Sequence, residues 1–161
     1  AANKAVFEES ASHVEYEGMG TTVVACTLEE NTLYIANIGD SRLYLIRDGI
    51  EQITDDHSLV EEMVKQGNIT ESEARIHPQK NIITRALGIN EEVQADFFEI
   101  DVEQGDVIML CSDGLSNMIE DEDMEYIVKN SDTLQTAAES LVARANENGG
   151  NDNITVVLAE V

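Results

Sequence analysis

The chain has 161 residues, of which 33 are acidic and only 9 are lysine or arginine, so its formal net charge is −24. This excess of negative charge argues against binding to nucleic acids or anionic membranes, because their phosphates would approach against the protein's own field. Hydrophobic residues make up 42% of the chain, which is more than acidic disordered chains contain and predicts one folded domain over residues 1–161.

The first half of the chain is predicted to pass from a helix into a series of strands. Apolar residues at helical spacing predict a helix over residues 3–16, which Gly18 ends. Runs of β-branched and apolar residues then predict four strands, and the pair Asp48-Gly49 is typical of a hairpin turn. We interpret these strands as an antiparallel meander. They cover residues 21–28, 32–38, 43–46 and 50–54.

The second half is predicted to contain helices and strands in blocks. A helical period begins at Ser58 and stops near Gly67, and Thr70 with Glu73 has the spacing of a capping box for a short second helix. Because the blocks do not alternate as single strands and helices, the order favours an α+β fold with antiparallel sheets. The later elements are predicted as strands over 93–100, 106–111 and 153–161 and helices over 121–129 and 133–146.

The two cysteines, Cys26 and Cys111, each lie within an apolar run that is typical of a buried strand. Their separation excludes zinc and redox motifs of the CxxC type. Two core thiols without a disulfide framework indicate a reducing compartment. No apolar stretch reaches the roughly 20 residues of a membrane span, and no basic segment followed by an apolar one marks the N-terminus. These features predict a soluble, cytoplasmic protein.

Several common catalytic motifs are absent from the sequence. It has no GxSxG, GxxxxGK[ST], GxGxxG or HExxH motif and no EF-hand loop, so hydrolase-triad, nucleotide-binding and zincin functions lose their usual support. The three histidines, His13, His57 and His77, have no metal-ligand spacing. Isolated histidines are more often structural or exposed than catalytic, and we interpret these three in that way.

Three aspartates, Asp40, Asp113 and Asp152, lie at the ends of predicted apolar strands beside glycine or asparagine. A carboxylate at a strand end is held by a rigid element yet faces solvent, and a neighbouring glycine lets an ion approach the backbone closely. Converging carboxylates would form an all-oxygen site for Mg²⁺ or Mn²⁺, and two such ions can activate a water without a nucleophilic side chain. Aspartate beside glycine is also a common turn signature, so structural turns are the alternative interpretation.

Six short segments with glycine, aspartate or arginine follow one another along the chain. They are Gly18–Thr22, Ile38–Arg42, Thr54–Ser58, Thr84–Gly88, Cys111–Leu115 and Gly150–Thr155. In this order they resemble the motifs of the metal-dependent protein phosphatase family of the 2C type in its bacterial form. The resemblance implies a four-layer α-β-β-α sandwich, in which helices flank two antiparallel sheets. It also implies hydrolysis of phosphoserine and phosphothreonine in proteins with Mn²⁺ or Mg²⁺, in opposition to a serine/threonine kinase.

The resemblance also assigns roles by motif position. Asp113 and Asp152 resemble ligands of the family's binuclear metal centre, and Asp40 resembles, together with Asp113, a ligand of the third metal ion of bacterial members. Residues 58–81 correspond to the mobile flap beside the family's active site. Asn81 departs from the pattern, because some relatives have serine there.

One part of the family pattern has no counterpart in the sequence. Members carry an arginine for the substrate phosphate and an Asp-Gly-x-Gly-Gly stretch in their first strands, and neither the stretch nor those strands occur here. We therefore expect this chain by itself to have little or no activity, either as a fragment of an active phosphatase or as a non-catalytic module for interaction or regulation. A regulator that acts on one dedicated phosphoprotein is a third alternative. Without those strands an exposed sheet edge would favour dimerisation or strand exchange.

Overall fold

The computed structural model describes all residues from Ala1 to Val161, and the chain divides into two compact units. The first unit comprises Ala1–Cys26, Ile35–Asp40 and Asp55–Phe97. The second unit comprises Thr27–Tyr34, Ser41–Thr54 and Phe98–Val161. The assignment of residues 1–161 to one domain stays a prediction.

Helices and strands occur in the blocks that the sequence predicts. The helices are α1 (Ala2–Ser12), α2 (Leu59–Lys65), α3 (Glu71–Ile76), α4 (Asp113–Ser116), α5 (Asp121–Lys129) and α6 (Leu134–Glu147). The strands are β1 (Val23–Glu29), β2 (Thr32–Ile38), β3 (Arg42–Ile46), β4 (Ile50–Gln52), β5 (Asp96–Asp101), β6 (Val107–Cys111) and β7 (Val156–Glu160). The strand orders are β1-β2-β5 and β4-β3-β6-β7. Both sheets are antiparallel, which confirms the predicted α+β fold class.

The ends of these elements follow local signals with few exceptions. The first helix stops at Ser12, earlier than predicted, because His13 adopts an extended conformation with φ −132° and ψ 121°. A short 3-10 turn, Val14–Tyr16, completes the predicted segment. None of the helices combines the length and the hydrophobicity that crossing a membrane requires.

The predicted four-stranded meander is wrong at the end of β2. β2 lies between β1 and β5, whereas β3 lies between β4 and β6 in the other sheet. Gly39 ends β2 with φ +112°, which favours glycine. Its N–H donates to His57 Nδ1 at 2.9 Å, and its carbonyl accepts from the His57 N–H at 2.9 Å. Because His57 occupies both polar backbone groups of Gly39, the strand pairing does not continue.

The prediction that both cysteines are core residues is wrong for Cys26. Cys111 is buried, whereas Cys26 is exposed on β1, and both thiols are free. The last five residues of β1 are all exposed. The apolar sequence of a strand does not say which of its faces another element covers, so the exposure of Cys26 depends on tertiary packing.

The core of the second unit joins one face of the four-stranded sheet to α4, α5 and α6. Tyr44 on β3 is paired in register with Met109 on β6, and both are completely buried. Met124 on α5 and Leu141 on α6 are buried in the same cluster. The other buried members are Ile46, Cys111, Leu115, Ile119, Val128, Ala137 and Ala145.

An ion pair fixes the turn that leads into β6. Arg47 donates from Nε to Asp106 Oδ1 at 2.7 Å and from its second terminal nitrogen to Asp106 Oδ2 at 2.6 Å. The Glu103 N–H donates to the same Oδ2 at 2.8 Å. Asp106 is only 2% exposed, so its charge depends on these donors.

The short helix α3 in the first unit begins with the capping box that the sequence predicts. Thr70 Oγ1 accepts from the Glu73 N–H at 3.3 Å, and the Thr70 N–H donates to Glu73 Oε2 at 2.8 Å. These two bonds satisfy donors at the helix start that would otherwise have no partner within the helix. The box therefore fixes the start of α3.

We expect the substitution Thr70→Ala to destabilise α3 locally by about 1 kcal/mol, because the side-chain acceptor at the helix start is lost. Amide hydrogen exchange measured by mass spectrometry should become about fivefold faster over residues 71–76, since that factor corresponds to about 1 kcal/mol. Thr70→Ser keeps the hydroxyl and should leave the rate close to that of the unsubstituted chain. Equal exchange in the two variants would contradict a capping role.

Candidate metal centre

Asp113 lies where β6 ends and α4 begins. Its side chain is half-buried, and Oδ2 accepts a hydrogen bond from Asn117 Nδ2 at 3.3 Å, one helical turn further along. The backbone supports the same contact, because the Asn117 N–H donates to the Asp113 carbonyl at 2.8 Å. The sequence predicts neither α4 nor the role of Asn117, since four residues are too few to display a helical period. The Asp113 carboxylate is thus held by a rigid turn.

Asp152 lies in the loop that precedes β7. The residue is exposed, and its Oδ1 accepts a hydrogen bond from the N–H of Asn153 at 2.7 Å. An aspartate that binds the backbone N–H beside it stabilises a local turn. The turn interpretation and the metal-ligand interpretation are compatible here, because this bond engages one carboxylate oxygen and the residue is accessible to solvent.

Ser112 connects the segments that carry these two aspartates. Its N–H donates to the Thr155 carbonyl at 3.0 Å, and the Thr155 N–H donates back to Ser112 Oγ at 3.0 Å. Ser112 Oγ also donates to the Asn153 carbonyl at 3.1 Å. These bonds extend the pairing of β6 with β7, in which Cys111 lies opposite Val156. The antiparallel pairing thus brings the end of one strand beside the start of the next.

Gly114 makes the approach of the two segments possible. A Cβ atom at Gly114 would lie 2.3 Å from the carbonyl oxygen of Asn153 and 3.0 Å from its carbonyl carbon. Both are backbone atoms, so no side-chain rotation could relieve the contact. The structure therefore brings the segments of Asp113 and Asp152 together within the second unit, and glycine is required at the contact.

Asp40 belongs to the first unit, where it follows Gly39 at the end of β2. The residue is half-buried. The turn before it is fixed by His57 and by Asn37, whose Nδ2 donates to the Gly39 carbonyl at 3.3 Å and to the Asp55 carbonyl at 2.9 Å. A methyl group on Gly39 would lie 2.3 Å from Thr22 Cγ2. The backbone that presents Asp40 is therefore tightly constrained.

The donor chemistry of the second unit suits a hard divalent cation. Asp113 and Asp152 provide carboxylate oxygens, which Mg²⁺ and Mn²⁺ prefer, and these ions commonly retain several waters. No group of three or more His, Cys, Asp or Glu side chains in the chain has the arrangement of a metal site. Asp113 and Asp152 thus offer oxygen donors of the kind that such an ion binds, and the two do not amount to a complete shell.

The first unit contains a cluster of side chains that the sequence does not predict. His57, Arg85 and Asp96 are in mutual contact, with His57 Nε2 3.1 Å from Asp96 Oδ2 and an Arg85 terminal nitrogen 2.6 Å from Asp96 Oδ1. The hydrogen bonds from His57 and Arg85 hold the pKa of the Asp96 carboxyl below its usual range. Asp96 is 39 residues from His57 along the chain, so no local spacing indicated the contact.

Residues 58–81 contain α2 and α3. The two ends of this segment lie close together. Ser58 forms an isolated antiparallel bridge with Ile83, just beyond the segment, and the Leu59 N–H donates to the Ile82 carbonyl at 2.9 Å. We refer to these contacts as the closed base of residues 58–81. The assignment of residues 58–81 as a flap stays a prediction.

Known proteins match this chain over almost its whole length. A family model described as Protein phosphatase 2C matches residues 1–159. The chain is 44% identical over 159 residues to the serine/threonine phosphatase stp of Listeria monocytogenes serotype 4b (strain F2365). That match covers 98% of this chain and 63% of the relative, so the chain spans about 63% of the length of that protein.

Solved structures of serine/threonine phosphatases also match this chain over almost its whole length. The crystal structure of the serine/threonine phosphatase Stp1 from Staphylococcus aureus matches with a TM-score of 0.95 and 38% identity, over 99% of this chain and 63% of that one. The catalytic domain of the phosphatase PstP, crystallised with 2 manganese ions, matches with a TM-score of 0.88 and 37% identity, over 98% of this chain and 66% of that one. The chain belongs to the protein phosphatase 2C family.

Proposed function

We propose that this chain forms part of a metal-dependent protein phosphatase that hydrolyses phosphoserine and phosphothreonine. The family match and the names of the relatives support this activity. The observation that carries the proposal is the junction made by Ser112 and Gly114, which places the segments of Asp113 and Asp152 side by side. Two carboxylates on adjoining rigid turns are a suitable start for an oxygen-ligand metal centre.

Each of these residues has a distinct task in the proposed reaction. Asp113 and Asp152 hold Mn²⁺ or Mg²⁺, and the Asn117 amide orients the Asp113 carboxylate by a hydrogen bond to Oδ2. Two divalent ions, when bound, lower the pKa of the attacking water and neutralise charge on the phosphoryl oxygens. Ser112 keeps the two ligand-bearing segments at a fixed separation. Loss of such supporting contacts around a ligand commonly lowers metal affinity by about 10-fold to 100-fold.

Two further roles come from the family resemblance. Asp40 would be a ligand of a third ion, and residues 58–81 would form a flap that influences substrate access. The closed base of this segment and the constrained turn before Asp40 support these roles. The position of Asp40 directly after a strand end also agrees with a ligand role.

The proposed substrates are phosphoproteins whose phosphate an opposing serine/threonine kinase has added. With a net charge of −24, the protein disfavours anionic substrates at long range, but exposed charges are largely screened beyond about 8 Å at physiological salt. Divalent ions at the site would reverse the local charge. Cytoplasmic location and pairing with a second copy through a sheet edge stay predictions.

Calorimetric titration of the chain with MnCl₂ tests the metal assignment. We expect Asp113→Asn and Asp152→Asn each to weaken Mn²⁺ binding at least 10-fold, because each removes an anionic ligand. Asp132→Asn is the matched control, since Asp132 is an exposed acid in the loop before α6, and its affinity should stay within about twofold. Equal binding by all four proteins would contradict the assignment.

The catalytic part of the proposal needs a separate measurement. The chain by itself should release little or no phosphate from a phosphothreonine peptide in the presence of Mn²⁺. A chimera that joins it to the N-terminal segment of a relative with the Asp-Gly-x-Gly-Gly stretch should release phosphate, and Asp113→Asn should abolish this activity. A folded chimera without turnover would favour the non-catalytic interaction module instead.

A further inference from the structure

A cluster in the first unit connects separate segments of the chain through one histidine. His57 is 6% exposed. Its Nδ1 accepts the N–H of Gly39 at 2.9 Å, and its Nε2 lies 3.1 Å from Asp96 Oδ2 and 2.9 Å from a terminal nitrogen of Arg85. The ring therefore links the end of β2 to the start of β5 and to the segment that contains Arg85.

The hydrogen bond from Gly39 determines which ring nitrogen of His57 carries the hydrogen. A ring nitrogen that accepts an N–H carries no proton, so the bond from Gly39 leaves Nδ1 of His57 without a hydrogen and places the ring hydrogen on Nε2. Nε2 then donates to Asp96 Oδ2, and the adjacent Arg85 nitrogen, which can only donate, makes its hydrogen bond to Asp96 Oδ1 at 2.6 Å. The charge of Asp96 is balanced by the guanidinium of Arg85, and the orientation of the imidazole is fixed from both sides.

The backbone of His57 joins the same turn to the base of the 58–81 segment. Its N–H donates to the Gly39 carbonyl at 2.9 Å, and its carbonyl accepts from the Thr84 N–H at 2.8 Å. Ser58, the next residue, forms the bridge with Ile83 that closes the segment. One residue thus contacts both the turn before Asp40 and the closed base of residues 58–81.

Asn37 adds a second constraint on the turn. It is completely buried, and its Nδ2 donates to the carbonyls of Gly39 and Asp55. Its Oδ1 has no hydrogen-bond partner, and a buried acceptor without a donor costs about 1–3 kcal/mol. The position of this amide therefore carries a cost in stability while it holds two backbone carbonyls in place.

We propose that His57 is a positioning residue, which couples the Gly39-Asp40 turn to the base of the 58–81 segment. The imidazole fixes the Gly39 N–H, and the backbone of the same residue fixes Gly39 and Thr84. The Asp40 carboxylate follows directly after this turn. The consequence for metal binding rests on the proposed function, in which Asp40 is a ligand. A displacement of the segment's base would reach the Asp40 turn through His57.

Two substitutions separate the two sides of the ring. Asparagine places its Oδ1 near the position of the histidine Nδ1, so His57→Asn keeps an acceptor for Gly39 and loses the donor to Asp96. Glutamine places its Nε2 near the position of the histidine Nε2, so His57→Gln keeps that donor and loses the acceptor. The pair therefore tests the Gly39 contact against the Asp96 contact in the same protein.

Amide hydrogen exchange measured by NMR on the full 161-residue chain tests the coupling without metal. In His57→Gln we expect exchange at Gly39 and Thr84 to become about 10-fold faster, as the loss of one hydrogen bond implies. In His57→Asn both rates should stay within about twofold. Leu87, whose N–H donates to the Thr21 carbonyl at 2.8 Å, reports general opening of the first unit. Equal acceleration at Leu87 or equal rates in both variants would overturn the proposal.

A second readout separates this coupling from the metal assignment. Mn²⁺ is paramagnetic, and we expect it to broaden the amide signal of Asp40 in the unsubstituted chain and in His57→Asn. His57→Gln should need at least fivefold more Mn²⁺ for the same broadening, and an unchanged requirement would overturn the link to metal binding. Absence of broadening at Asp40 in the unsubstituted chain would reject Asp40 as a ligand, while the exchange rates would still decide the coupling.

Discussion

Replacing Gly114 by alanine is expected to lower the free energy of unfolding by about 2 kcal/mol, in the range of overpacked interior sites. The new Cβ would lie 2.3 Å from the Asn153 carbonyl oxygen. The Asn153 backbone is itself held by Ser112 Oγ, so relief requires that the hydrogen bonds of Ser112 lengthen or break. Urea unfolding followed by circular dichroism measures the loss.

The same substitution should weaken Mn²⁺ binding at least 10-fold, because the segments of Asp113 and Asp152 would be forced apart. Gly49→Ala is the matched control. Gly49 lies in the hairpin turn of the same unit and does not have a positive φ, and a methyl group added there would meet no atom within 4 Å. The free energy of unfolding of Gly49→Ala should differ from that of the unsubstituted chain by less than about 0.5 kcal/mol. Gly114→Ala with unchanged stability and affinity would refute the close approach.

Replacing Arg47 by alanine should lower the free energy of unfolding of the second unit at neutral pH, since removal of one partner leaves the buried charge of Asp106 without compensation. The expected loss is smaller than for a completely buried pair because the Arg47 side chain is 37% exposed. Asp106→Asn should cost less, because an unpaired Arg47 can turn to solvent. Urea unfolding of both variants would test this order.

The dependence of this effect on pH has a defined sign. The hydrogen bonds from Arg47, and the N–H of Glu103, hold the pKa of Asp106 below its ordinary value of 3.8. A carboxyl whose pKa is lowered by folding contributes stability that is complete above the ordinary value and is lost as pH falls through the folded value. The difference in the free energy of unfolding between the unsubstituted chain and Arg47→Ala should therefore be largest near pH 7 and shrink below pH 4. A constant difference would contradict the ion-pair explanation.

Local patterns predicted most of the elements because their causes are local. The capping box of Thr70 and Glu73 is present with both hydrogen bonds, and the predicted bounds of β2 and α5 agree with the structure. The change of sheet between β2 and β3 was not predicted, since Gly39 interacts with His57, 18 residues away. A strand pattern contains no information about which sheet the next strand will join.

The amino-acid sequence was sufficient to predict the α+β class, the family and the positions of Asp40 and Asp113 just after strand ends, because hydrophobic periodicity, turn residues and motif order are properties of neighbouring residues. It did not predict that Ser112 and Gly114 join the segments of Asp113 and Asp152, or that His57 meets Asp96. The hydrogen bonds of Ser112 with Asn153 and Thr155, and that of His57 with Asp96, connect residues 39 to 43 positions apart. Their geometry arises in the folded chain, since it depends on strand pairing and burial, which no local pattern specifies.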